Sequence, residues 1–301
     1  MQRRRFLRAA VATGLGWSLG AGGCALRSRE AELRIVFYTD VHARLEKRAP
    51  EGVERAAAAI NAERADLVIN GGDLIHGGFD LTSAQAAPRW EVYLTMQRAI
   101  QGEIHSTLGN HDLVGVAPRD GSAPNPDPRA DFRAATGLAQ TWYSFDAAGY
   151  HFVVLDSVHI TGVQPPYEGH IGAEQMDWLR GDLAALPVGA RVIAVTHMPL
   201  LTAFFGAVEG ATARAPSNRV VGNNVEVLQA FARHRLVLVL QGHLHVNELL
   251  RWRHTTFITG GAICGRWWRG PNHGTEEGFG VVTLRGDQAG WRYVDYGWEI
   301  S

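Results

Sequence analysis

Cysteine is almost absent. The 301-residue chain holds only Cys24 and Cys264, and Cys24 falls in a segment read below as a removable leader. Cys264 is then left without an intramolecular partner, so a hydrophobic core rather than a disulfide framework must hold the fold. An excess of either charge is missing too. The formal net charge is −1, with 29 lysines and arginines against 30 acids; without the four arginines of the first 24 residues, 25 basic residues face those 30 acids. That balance lacks the electrostatic footprint of a nucleic-acid binder, and no nucleic-acid partner is expected. Ala9 to Ala21 is apolar, but too short and too glycine-rich for a comfortable membrane span. Internal repeats, low-complexity tracts and a dividing linker are lacking. What is present, 46% hydrophobic and 20% charged residues with 35 glycines, suits a substantial core and loops that approach a site closely.

The first 24 residues read as an export signal. Arg3-Arg4-Arg5-Phe6-Leu7-Arg8 resembles the twin-arginine pattern and precedes the weakly apolar stretch. Cys24 after Gly22-Gly23 resembles a bacterial lipoprotein cleavage site, although Ala21 stands where leucine is usual. Two readings stand side by side: a lipoprotein signal, and a plain secretory signal that happens to contain a cysteine. Either places the protein in the periplasm or on the cell envelope, with membrane contact only through a lipid on Cys24. Nothing in the sequence sets the oligomeric state.

Further along, apolar runs repeatedly end in polar residues. Leu33 to Thr39 predicts a buried strand that stops at Asp40-Val41-His42, and Leu67 to Asn70 one that stops at Gly71-Gly72-Asp73. Ile104 to Leu108 leads to Gly109-Asn110-His111-Asp112. Arg191 to Thr196 leads to His197, and Leu236 to Leu240 to Gln241-Gly242-His243-Leu244-His245. Strand alternation sends Asp40 and His42 to one side, and likewise His243 and His245. Gly52 to Ala62, Ser83 to Ile100, Glu174 to Leu186 and Asn223 to Ala232 predict helices between the strands. A Gly-Gly-Asp or a lone histidine is ordinarily a plain turn or a structural residue. Five such ends in one chain reverse that judgement. Asp40, His42, Asp73, Asn110, His111, His197, His243 and His245 are oxygen and nitrogen donors without a thiolate, suited to manganese, iron, cobalt or zinc. Even seven ligands exceed one ion's need, so two ions sharing a bridging carboxylate are the economical interpretation.

The order Asp-x-His, Gly-Asp, Gly-Asn-His-Asp, His, Gly-x-His-x-His, spread over residues 40 to 245, is similar to the calcineurin-like metallophosphoesterase superfamily. The resemblance implies a four-layer α/β/β/α sandwich with two mixed sheets over residues 30–301, and a dinuclear centre at the carboxyl ends of the strands. It implies that Asp40, His42 and His245 hold one divalent or trivalent ion and Asn110, His197 and His243 the other, with Asp73 bridging. A hydroxide between the ions would attack a small phosphate ester. His111 would protonate the leaving alkoxide or touch a phosphoryl oxygen, with Asp112 orienting its imidazole. Purple acid phosphatases place a metal-bound tyrosine three residues after the bridging aspartate; here that residue is His76.

Segments such as Tyr143-Ser144-Phe145-Asp146, His151 to Ser157, Trp267-Trp268 and Gly270-Pro271-Asn272-His273-Gly274 resemble bacterial members related to cyclic-nucleotide phosphodiesterases. They tilt the expectation toward phosphodiesters, with a phosphomonoesterase of the same fold as the alternative. A non-catalytic metal-binding envelope protein is the rival of a different class, disfavoured because no ligand is missing. Asn110, His76, Trp267 and His273 are the expected substrate contacts. Arg266 and Arg269 beside the tryptophans could clamp a phosphate while the rings stack a base, or the rings could simply pack under a loop.

Overall fold

The computed structural model describes residues 32–299, so the leader expected over residues 1–24 lies outside them. Among the described residues no helix is long and apolar enough to cross a membrane. In chain order the first half runs β1 (Leu33–Tyr38), α1 (Ala49–Ala62), β2 (Leu67–Asn70), α2 (Ser83–Ala99), β3 (Ile104–Ser106), α3 (Ala130–Thr136), β4 (Tyr143–Ala147) and β5 (Tyr150–Leu155). The second runs β6 (Val158–Ile160), β7 (Tyr167–Gly169), α4 (Ala173–Ala184), β8 (Arg191–Thr196), α5 (Phe204–Val208), α6 (Asn224–Ala230), β9 (Arg235–Gln241), β10 (Glu248–Trp252), β11 (Thr255–Thr259), β12 (Gly278–Arg285) and β13 (Gln288–Asp295).

Two mixed sheets result. One has five strands in the order β13-β12-β1-β2-β3 and the other six in the order β10-β11-β9-β8-β5-β4, beside a small β6-β7 ribbon. The strands β1, β2 and β3 pair in parallel, as do β5, β8, β9 and β11, while β12, β13, β4 and β10 join antiparallel at the outer sides.

The central strands are apolar on both faces because both faces are covered. Ile35 and Phe37 of β1 share one buried cluster with Phe152 and Val154 of β5 and Ile193 and Val195 of β8, the layer between the sheets. Their neighbours Val36, Tyr38, Val153 and Val192 belong to the other cluster, with Val53 and Ile60 of α1, Tyr93 and Met96 of α2, and Leu179 and Leu183 of α4. Each large apolar side chain so buried contributes about 1.5–3 kcal/mol. The expected α/β/β/α layering is therefore present.

The long, strongly apolar elements lie close to where the sequence puts them. The β6-β7 ribbon, α5 and β10 were not foreseen. The ribbon strands are three residues each, and β10 is a half-exposed edge strand, so neither carries a usable period.

Candidate metal centre

The chain ends of β1, β2, β3, β8 and β9 meet on one rim of the sandwich. Asp73 lies at its middle. Its Oδ1 accepts the His111 N–H at 2.7 Å, while Oδ2 faces His42 Nε2 at 3.5 Å and His197 Nε2 at 3.3 Å. On one side His42 Nε2 lies 3.1 Å from His245 Nε2, and Asp40 Oδ1 faces these two nitrogens at 3.8 and 3.3 Å. On the other side His197 Nε2 lies 3.2 Å from both Asn110 Oδ1 and His243 Nδ1. Asp40, His42, Asp73, Asn110, His197, His243 and His245 are all buried. Asp40-His42-Asp73 and Asp73-His197-His243 are groups able to hold a metal ion.

The imidazoles meet in this way because of backbone conformation, not strand alternation. Asp40, His42, Asp73, His243 and His245 all have left-handed backbones, with φ between 45° and 71°. Such a conformation costs a non-glycine residue about 1–3 kcal/mol, which the surrounding structure must supply, and strain of this kind clusters at functional sites. One expectation is corrected here. His243 and His245 do not point the same way but divide between the two groups, because the turn at positive φ breaks the period of two. Gly109 permits the close approach of the β2 and β3 loops: a Cβ there would lie 2.2 Å from Asp73 N and Oδ1.

The donor set fits divalent cations in its protonation as well as its geometry. His197 Nδ1 donates to Gly71 O at 2.8 Å, His243 Nε2 to Asn218 O at 3.0 Å, and His245 Nδ1 to Gly265 O at 2.6 Å. Carbonyl oxygens only accept, so in the neutral ring each of these nitrogens holds the proton and the other offers its lone pair to the centre. Asn110 donates its Nδ2 hydrogen to the Tyr167 hydroxyl at 3.1 Å, which turns Oδ1 inward. Asp40 Oδ2 accepts from Thr39 Oγ1 at 2.7 Å and from the His243 N–H at 2.9 Å. Its buried Oδ1 has no hydrogen-bond partner among the described residues.

The charges of the centre show its pull on positive charge. Burial alone would raise the Asp73 pKa, yet positive charge on His197 and His111 holds it well below the carboxylate range. Burial would lower His197, but Asp73 and then Asp40 carry it up to about 9. His243 is pushed down to about 3 by burial first, then by the charges of His197 and Arg219. The buried carboxylates draw positive charge inward, and the imidazoles set against one another compete to carry it.

The remaining expected residues separate. His111 reaches the centre, its ring 4.5 Å from that of His42, and its Nδ1 accepts the Gly77 N–H at 2.8 Å. Asp112 does not orient it, which is a second correction. Its two oxygens accept the backbone N–H groups of Gly109, Asp73, Leu74 and Ile75 at 2.7–3.2 Å, so it knits the β2 and β3 loops together. Burial, followed by the charge of Asp73, raises its pKa to about 8. His76 Nδ1 lies 3.5 Å from His42 Nδ1, behind the centre's first group. Trp267 stands at the rim with its ring 4.9 Å from His245. The neighbouring Trp268 is buried and donates its Nε1–H to His42 O at 3.1 Å, so the two tryptophans have opposite fates. His273 is exposed against Phe204, its ring centroid 5.1 Å away. Tyr167 and the Asn218 carbonyl were missed: one sits on a three-residue strand, and a backbone acceptor leaves no mark in the sequence.

Comparison with known proteins agrees with this geometry. The family model described as calcineurin-like phosphoesterase matches residues 33–247. A 3′,5′-cyclic-nucleotide phosphodiesterase of Nostoc sp. is 28% identical over 125 residues, a match covering 41% of this chain and 42% of that protein. The chain thus matches less than half the length of that relative. Among solved structures, a dimetal phosphatase from Danio rerio superposes with a TM-score of 0.60 at 16% identity, over 88% of this chain and 96% of that one. GAP50, the anchor in the inner membrane complex of Plasmodium, superposes with 0.56 at 14% identity, over 89% and 86%. At such identities the structures attest the fold alone. The family match spans all five polar strand ends and the rim on which they meet: this chain belongs to the calcineurin-like phosphoesterases, a family of metallophosphoesterases.

Proposed function

We propose that the protein hydrolyses phosphate esters, with a preference for diesters, at a centre of two cations. Asp40, His42 and His245 would hold one and Asn110, His197 and His243 the other, with Asp73 between them. The observation that carries this reading is the placement of Asp73 Oδ2 within 3.5 Å of an imidazole nitrogen from each group. Two cations held there would supply Lewis acidity to a phosphoryl group and acidify water beside it. The chain's own residues do the rest. Three imidazoles are locked by backbone carbonyls, so the donors need little reorganisation on binding. With Nδ1 occupied by the Gly77 N–H, the neutral His111 ring carries its proton on Nε2 and can donate it in a hydrogen bond to a phosphoryl or leaving oxygen. The diester preference rests on likeness to the Nostoc enzyme. The expected export signal supports action in the periplasm or on the envelope, with Cys24 as the point of lipid attachment in the lipoprotein reading.

The test is metal analysis and kinetics on one sample. Protein purified with manganese should hold two ions per chain and cleave bis(p-nitrophenyl) phosphate faster than p-nitrophenyl phosphate. A single ion would end the dinuclear reading, and a faster monoester would end the diester preference.

A further inference from the structure

Beside the centre opens a cleft of about 430 Å³. His243 and His245 form its floor, and Phe204, Trp267, His273 and Arg219 stand around it. No carboxylate lines it. Arg219 is half-buried, and none of the described residues accepts a hydrogen bond or an ion pair from its guanidinium. A guanidinium without a protein acceptor keeps its five N–H donors free, and their planar fork is built to grip an oxyanion.

The backbone that carries Arg219 is fixed on both sides. Gly169 N donates to Ser217 O at 2.8 Å, Val221 N to Pro199 O at 2.9 Å and Gly222 N to Gly169 O at 2.7 Å. Arg219 N itself closes a turn onto Pro216 O at 2.9 Å. The residue before it, Asn218, supplies the carbonyl that sets the His243 tautomer. One short segment therefore orients a centre imidazole and presents a cation beside it.

We infer that this cleft is a second anion subsite: Arg219 recognises a further phosphate on the substrate, and the organic part between the two phosphates lies against Trp267 and Phe204. The inference rests on the proposed phosphoesterase reading. It makes the substrate class phosphate esters that carry another anionic group, and it makes Arg219 a specificity residue.

Thymidine 5′-(p-nitrophenyl phosphate) and its 3′-phosphorylated counterpart differ only by that second phosphate. The intact metal-loaded protein should favour the 3′-phosphorylated compound by about 10-fold or more in kcat/KM, mainly through KM, as expected of a charge-assisted contact. Arg219→Ala should reduce the ratio to within about 2-fold, and Arg219→Lys should retain part of it. The same ratio should appear in calorimetric affinities for thymidine 3′,5′-bisphosphate against thymidine 5′-monophosphate. A wild-type ratio near one, or equal losses on both compounds in Arg219→Ala, overturns the inference. Turnover of neither ester, with ions bound, overturns the phosphoesterase reading instead, and the calorimetric ratio then decides the role of Arg219 by itself.

Discussion

The two groups of the centre differ in what they would offer a cation. The group of Asp40, His42 and His245 carries a full carboxylate whose inward oxygen has no hydrogen bond, and only His245 is locked onto a carbonyl. His42 backs onto another imidazole, His76, at 3.5 Å. The group of Asn110, His197 and His243 has a neutral amide in place of that carboxylate. All three of its side chains are held from behind, by Tyr167, Gly71 and Asn218. On the proposed reading one group would bind by charge and the other by preorganisation. A weaker ligand can serve where its orientation costs nothing at the moment of binding.

Asp73 joins the two groups, so its removal should erase the contrast. Asp73→Asn should leave at most one ion per chain by metal analysis. Losing several kcal/mol of transition-state charge stabilisation should lower turnover by about 1,000-fold. Two ions retained with near-normal turnover would show that the carboxylate is not shared.

A selective blow to the preorganised group sharpens the contrast. Tyr167→Phe removes only the hydroxyl that turns Asn110, so the weaker of two manganese affinities in a titration should fall about 10- to 100-fold. The stronger should stay put. Equal weakening of both would mean that the phenol supports the rim as a whole.

The smallest effect is expected behind the charged group. His76→Gln keeps a polar partner near His42 Nδ1 and should change first-ion affinity by only a few-fold, because Asp40 supplies most of the attraction. A loss as large as that of Tyr167→Phe would show that this group depends on orientation as well.

Much of this centre could be read in the chain because its donors follow buried strands. Five apolar runs each end in Asp, Asn or His, and parallel strands deliver such residues to one rim. The reading failed where a side chain's role depends on its hydrogen-bond partner. Asp112 follows His111 directly, yet four backbone N–H groups from two loops take its oxygens. Arg219 and Tyr167 carry no motif, and only the pairing of a short ribbon with the loop before α6 brings them to the centre.

Residue chemistry and periodicity determined the positions of the long strands and the polar residues that end them, and the family resemblance added the layered α/β class, since hydrophobic runs and donor types are written locally. Tertiary structure alone decided which nitrogen each imidazole presents and whether a carboxylate faces the centre or the backbone. The reason is physical. These choices depend on left-handed turns and on carbonyls up to 126 residues away in sequence, as between His197 and Gly71, and a local pattern carries no record of them.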